Sequence, residues 1–411
     1  MTSSISLCRL VACGTLAVAA ALTPRPSRAT TLYINANVAA SNQNAILAYR
    51  VASDGSLSRI KGSPFPTGGT GYQDPSYKLG PFDHDQEFAI DDAYDVLYTV
   101  NGGSDTISAF SIAPNGGLSP VPGQPFRSGG NTPVSLGLRG GLLTILNDAG
   151  DPAQASTIGV PSFTAAQIGN GGRLRLLPHL TLALPAGDQP SQALTTNTAP
   201  FIFNTSQPND PSIQAFYRYP NGALFQTDKI VPPAVDGVQP FPLGLWASPG
   251  KPYLYVGLDF LTPTGTGVTV PSKLGVFRWS PMGQLTLVRY ADTAGGALCW
   301  IRATKDGKYL YTSNTFDNSV SVFDATKPDA PVEIQHLVIG GSGGLEQLSL
   351  TPDEKFLYVL QEINSAASVG KSNVVHALAV DRTTGLLTLE NNLTVKLPVS
   401  VTTRPFGIAI H

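Results

Sequence analysis

The sequence predicts an all-β chain: a seven-bladed β-propeller with four antiparallel strands per blade, its ring closed by the C-terminal strand. Three observations lead there. Short β-branched and aromatic runs alternate with turn residues along 411 residues that include 42 Gly and 34 Pro. Such a composition suits tight turns, not long helices. A four-strand unit recurs, and its best-aligned copies, Thr304–Tyr311 and Thr351–Tyr358, stand 47 residues apart. That is the spacing of propeller units. Finally, Arg404–Ile410 reads as a first strand with no unit after it, while the N-terminal unit lacks a first strand.

The clearest unit is Ala297–Gly341. Its strands are Trp300–Thr304, Tyr309–Ser313, Val320–Asp324 and Val332–Ile339, with turns at Lys305-Asp306-Gly307 and Asn314–Asn318. Period-two alternation between turn clusters is the strand and hairpin signal. One such meander cannot bury both faces, so it needs neighbours of its own kind. In chain order, the opening unit has Leu32–Asn35, Ile46–Val51 and Leu57–Lys61. The next has Glu87–Ile90, Val96–Asn101, Thr106–Ile112 and a strand from Leu118. Two degenerate units follow: Val134–Leu138, Leu142–Asn147, Ser156–Val160 and Leu174–Leu184, then Gln192–Thr196, Phe201–Asn204, Ile213–Arg218 and Leu224–Val231. The fifth unit has Gly244–Ala247, Tyr253–Gly257, Leu274–Trp279 and Leu285–Tyr290, with an inserted loop at Phe260–Ser272. After Ala297–Gly341 comes Leu348–Thr351, Phe356–Leu360, Val374–Val380 and Leu386–Leu389.

The first residues differ. Leu10–Leu22 is small and apolar, Arg9 precedes it, and Ser27 and Ala29 offer small residues for cleavage. Residues 1–29 read as a secretory signal peptide and residues 30–411 as one propeller domain, exported to the periplasm or the medium. Cys8 and Cys13 leave with that segment, so Cys299 remains as the sole thiol and no disulfide framework forms. Beside Trp300 it reads as core filler. No later stretch approaches the ~20 apolar residues of a membrane span. A net charge of −2 offers no case for nucleic acid or an anionic membrane. A monomer is expected.

In such a ring the first strands line a central channel, and side chains entering it from different blades converge at one mouth. The candidates there are His84, Gln86, Glu87, Trp300, Arg302, Glu346, Gln347 and Arg404. His84, between Asp83 and Asp85, reads as a solvated loop imidazole whose pKa the carboxylates raise, or as a general base. Glu87 and Glu346 read as proton-transfer groups, or as ion-pair partners of Arg302 and Arg404. Asn35, Asn101, Asn147, Asn204 and Asn314 recur at second-strand ends and read as turn residues tolerating left-handed backbone. No cofactor is expected. Channel calcium, held by hard oxygens of Glu87, Asn101, Glu346 and Asn204, is the alternative. His179, His336, His376 and His411 show no ligand spacing. Neither a phosphate-cradling glycine loop opening a helix nor a Gly-x-Ser-x-Gly elbow occurs.

Thr351–Val359, Lys305–Tyr311, Asn318–Phe323, Asp381–Leu389 and Arg404–Ile410 resemble the repeats of the lactonase-type seven-bladed propellers. That group includes the bacterial 6-phosphogluconolactonase and the fungal carboxy-cis,cis-muconate cyclase, and it overlaps with the YVTN-repeat propellers. The resemblance covers essentially the whole chain after Ala29. It implies a small lactone opened by water, or closed from a carboxylate, at the channel mouth. His84, Glu87, Arg302 and Glu346 would be the catalytic group, with Gln86, Trp300, Gln347 and Arg404 holding substrate. Arg302 falls on the Arg of the family's Glu-x-Arg-x-Ser-Pro-Asp-like strand. Trp300 stands where that strand has Glu, and Gln86-Glu87 and Glu346-Gln347 stand where the lactonases carry Arg-His. The rival expectation is a non-catalytic exported propeller that binds a protein partner through its mouth loops and the 260–272 insertion.

Overall fold

A computed structural model of the protein describes residues 28–72, 84–149, 159–208, 210–261 and 268–411. Their strands form seven antiparallel sheets, each one blade. Within a blade the spatial order follows the chain. In blade 2, Phe88–Asp91 pairs with Val96–Asn101, which pairs with Thr106–Ile112, which pairs with Leu118–Pro120. The innermost strands of blades 3, 5, 6 and 7 are Pro133–Arg139, Phe241–Ala247, Leu298–Ala303 and Gly344–Leu350. In blade 4 that strand is split into Asp188–Pro190 and Leu194–Thr195.

Blade 1 joins the chain ends. Thr31–Asn35, Ala45–Val51 and Leu57–Arg59 come from the N-terminal side, and Ile408–Ile410 supplies the innermost strand. Ile408 sits opposite Ile34, and Ile410 opposite Leu32. The expected closure is present, and it covers a sheet edge that would otherwise be free to pair with another chain.

A blade buries both faces only against its neighbours. Seven apolar clusters result, one at each junction. Leu360 and Val375 of blade 7 meet Leu32, Ile34 and Leu47 of blade 1 across the closing junction. Cys299 is buried between blades 6 and 7, as core filler should be. Five junctions carry a second tie. A second-strand Tyr donates its hydroxyl to a carbonyl in the third-to-fourth-strand turn of the next blade. Tyr33 reaches Gly116 at 2.9 Å, Tyr98 Gly172 at 3.1 Å, Tyr255 Pro328 at 3.1 Å, Tyr311 Gly385 at 3.1 Å, and Tyr358 Gly55 at 2.6 Å.

Some elements depart from expectation. The third strand of blade 3 is Ser162–Ile168, not Ser156–Val160, most of which lies outside the described residues. Its place is set by pairing: Leu143 and Ile145 of the second strand face Ala166 and Thr164. The split in blade 4 arises because the Ser191 and Gln192 amides donate to Asn204 Oδ1. The 260–272 insertion is a lengthened hairpin and not a loop. Tyr253–Leu261 and Val268–Trp279 stay paired out to Leu261 and Val268, and 262–267 lie outside the described residues. The signal-peptide segment lies outside them as well, up to residue 27. Among the described residues no helix is long and apolar enough to cross a membrane.

Candidate functional site

Each innermost strand enters the channel at one end and leaves, at the other, through the turn to its second strand. Strand register puts seven residues at one level near the entry end, one per blade: Gly407, Glu87, Ser135, Gln192, Gly244, Trp300 and Gln347. Four of these strands are irregular there, between Pro133 and Ser135, Pro242 and Leu245, Leu298 and Ile301, and Leu345 and Leu348. An irregularity frees backbone from the ladder and re-aims the side chain. The two glycines make room. A Cβ on Gly244 would lie on the Trp300 ring, and one on Gly407 would stand 2.7 Å from Glu87.

Side chains at this level link one blade to another. Ser135 Oγ accepts from the Ala193 amide at 3.0 Å, and Gln192 Oε1 accepts from the Leu245 amide at 3.0 Å. Trp300 Nε1 donates to Glu346 Oε2 at 3.2 Å, and Gln347 Nε2 donates to Glu87 Oε1 at 3.2 Å. Two ion-pair groups flank them. Arg302 forks Asp85, Nη1 to Oδ2 at 2.5 Å and Nη2 to Oδ1 at 2.8 Å, and its guanidinium lies 4.8 Å over the Trp246 ring. Arg404 reaches Glu362 Oε2 through Nε at 2.7 Å and Glu346 Oε1 through Nη2 at 3.4 Å. Bidentate and charge-assisted contacts of this kind are the strong ones.

All eight sequence-predicted residues belong to this centre or line its exit. Their surroundings set their charge. Burial first, and the neighbouring Asp85 second, push the Glu87 carboxyl well above the usual carboxylate range. Burial also raises Glu346, against the pull of Arg404 and of the Trp300 hydrogen bond. The first of the two readings of His84 fails. The residue is not a solvated loop imidazole with a raised pKa: it is buried, edge-on to Phe406, and burial together with the Arg404 charge pushes its pKa down to about 3. A ring that has lost its water resists protonation more than a nearby carboxylate can favour it. The reading of the recurrent Asn residues also fails. They are buried strand residues without left-handed backbone. Asn101 donates to Ser108 Oγ at 2.8 Å, Asn314 to Ser319 and Ser321 Oγ at 2.8 and 2.9 Å, and Asn35 to Thr99 Oγ1 and the Val100 carbonyl at 3.0 and 2.9 Å. Among the described residues no group of three or more His, Cys, Asp or Glu is placed to hold a metal ion.

The entry-end side chains are buried, whereas two cavities open at the exit end. One, of about 440 Å³, lies across blades 2 to 5 and touches Gln86 and Trp246. The other, of about 530 Å³, is lined by Trp246, Arg302, Lys305 and Glu354, with Asp92 and His411.

The family model described as "Lactonase, 7-bladed beta-propeller" matches residues 272–403. Over that segment the chain is similar to the lactonase-type propellers. The match spans blades 6 and 7 and part of blade 5, and so includes Trp300, Arg302, Glu346 and Gln347. No curated protein matches the sequence. Solved structures share the fold. A putative 6-phosphogluconolactonase from Bacteroides uniformis is 16% identical with a TM-score of 0.65, covering 94% of this chain and 100% of that one. Its counterpart from Bacteroides fragilis is 18% identical with a TM-score of 0.62, covering 95% and 100%. A structure described as the periplasmic gluconolactonase of Pseudomonas aeruginosa is 16% identical with a TM-score of 0.64, covering 93% and 98%.

The centre also holds residues that sequence reasoning left without a role. Asp85 orients Arg302, Glu362 orients Arg404, and Gln192 bridges blades 4 and 5. Gln192 had a usable signal, since it takes in blade 4 the level that Gln347 takes in blade 7. Asp148 had none. It follows the second strand of blade 3 with its Oδ2 3.8 Å from His84 Nε2, and burial lifts its pKa to about 8.

Proposed function

We propose that this protein is an exported lactonase-like enzyme that opens a small lactone with water, or closes one, in the central channel. The observation that carries the reading is the enclosed centre of Glu87, Arg302, Glu346 and Arg404 in a lactonase-type propeller. Ring opening needs a proton acceptor for water, a positive partner for the carbonyl oxygen and a proton donor for the ring oxygen. Burial sets these roles. His84, kept neutral, accepts a hydrogen bond from the attacking water and orients it. Glu87, kept protonated, gives its proton to the ring oxygen as the acyl carbon–oxygen bond breaks, and its carboxylate takes up the proton that the added water releases. Arg302, which lines a cavity, faces the carbonyl oxygen. Arg404 and Glu346 hold the substrate with Gln86, Gln347 and Trp300.

A second reading has its own support. Both guanidiniums are already paired with carboxylates, as they would be in a rigid, non-catalytic propeller that binds a partner. A pH-stat screen of several lactones separates the two, comparing wild type with Glu87→Gln and Arg302→Ala. The enzyme reading expects turnover in wild type and a loss of about 10²–10⁴-fold in Glu87→Gln. Absence of turnover on every lactone by folded wild type leaves the binding reading.

A further inference from the structure

The exit-end cavity of about 440 Å³ lies where the innermost strands of four successive blades turn outward. Among the described residues no Asp, Glu, Lys, Arg or His side chain lines it. Its polar groups are amides and hydroxyls, from Gln86, Thr196, Asn197, Thr198 and Ser248. Trp246 forms its border with the second cavity, where Arg302, Lys305, Asp92 and Glu354 gather. The exit is therefore divided at one indole into an uncharged half and a charged half. Trp246 does not move freely, because Arg302 lies over its ring and is itself forked by Asp85.

We propose that the uncharged half is a binding site for an uncharged, hydroxyl-bearing ring, with Trp246 as its aromatic wall. Moving a carboxylate or phosphate from water into a recess without a cation is strongly unfavourable. Hydroxyls lose much less, because Thr, Ser, Asn and Gln replace the hydrogen bonds of water. The volume falls in the range of small-ligand sites, and an apolar wall with a few polar groups is their usual make-up. The inference concerns binding. It holds whether or not the ring is then opened, and it selects uncharged over phosphorylated ligands.

The test is calorimetric titration of the full chain with gluconolactam, an uncharged hydroxylated ring that resists hydrolysis, against gluconate and 6-phosphogluconate. Tryptophan fluorescence is followed in parallel. Trp279 and Trp300 are buried, so Trp246 is the tryptophan a ligand can reach. Binding of the lactam at least about tenfold tighter than either anion is expected. Trp246→Ala should weaken the lactam about tenfold or more. Asn197 is exposed on the rim, so Asn197→Lys leaves the fold intact and should admit gluconate. Equal or tighter binding of the anions by wild type overturns the proposal, as does no lactam binding at all, or lactam affinity that Trp246→Ala leaves unchanged. These outcomes are independent of the pH-stat result, which judges the lactonase reading alone.

Discussion

Blades 3 and 4 obey the same four-strand order as blades 5 to 7, yet they lack the features that make the later blades recognisable. At the position of Tyr255, Tyr311 and Tyr358, blade 3 has Thr144 and blade 4 has Phe203. The hydroxyl ties to the next blade are missing there. The apolar junctions are not. Phe163 and Phe216 meet edge-on between blades 3 and 4, and Phe203 packs against Trp279 of blade 5. Blade identity therefore rests on apolar burial across the junction, which any residue of suitable size supplies. The Tyr tie adds a hydrogen bond and a register to it. Freed from the motif, blades 3 and 4 still place Ser135 and Gln192 into the ring of hydrogen bonds at the centre.

The strongest way to break this comparison is to open the ring. Removal of residues 408–411 exposes the Thr31–Asn35 edge and the blade 7–1 junction. We expect loss of cooperative unfolding and aggregation, seen by thermal melts and light scattering. A stable, monomeric truncated chain would show that junction burial alone holds the ring. Next in size is Arg404→Ala, which leaves Glu346 and Glu362 buried without their cation. A loss of about 3–5 kcal/mol is expected in denaturant titration.

Two buried carboxyls sharpen the comparison between regular and degenerate blades. Asp259 of blade 5 accepts the Leu298 amide at 2.9 Å, and burial still raises its pKa to about 7. Asp148 of blade 3 accepts no hydrogen bond among the described residues, and its pKa rises to about 8. Both folded values lie above the unfolded one, so between them the native state holds the extra proton and stability falls as pH rises. The fall runs from about pH 4 to 8 for Asp148 and from about pH 4 to 7 for Asp259. Asp148→Asn should flatten the upper part of that fall and raise the melting temperature at pH 8. Asp259→Ala should cost about 1–3 kcal/mol at pH 5, where its hydrogen bonds are intact. His84 acts oppositely: its depressed value contributes stability that is lost as pH falls from about 6.5 towards about 3. The smallest effect is expected at the tie itself. Tyr311→Phe should cost about 1 kcal/mol, and Phe203→Tyr in blade 4 should gain nothing unless a carbonyl stands opposite. A gain in melting temperature there would mean that blade 4 retains the acceptor.

The repeat was legible because a strand needs alternation and a turn needs particular residues, and both are local. Arg404–Ile410 could be read as the missing strand for the same reason. Ser156–Val160 was misplaced because alternation alone did not separate it from Ser162–Ile168, and pairing with Leu142–Asn147 decided which segment became the third strand. At the centre, residue types were readable and environments were not. His84 sits between two carboxylates in sequence, but in space it lies against Phe406 under the Arg404 charge. The recurrent Asn residues looked like turn formers because they precede turns, yet their amides cap hydrogen-bonded strand ends.

The sequence by itself determined the blade, its repetition and its closure, since each follows from alternation, turn chemistry and the need to cover a sheet edge. It also named candidate polar residues for the channel. Only the tertiary structure decided which of them pair, which stay protonated, and that a cavity opens at the exit end beside Trp246. Those outcomes depend on distances between residues remote in the chain, Asp85 from Arg302 and Glu346 from Arg404, and on the loss of water around them. No local pattern encodes either one.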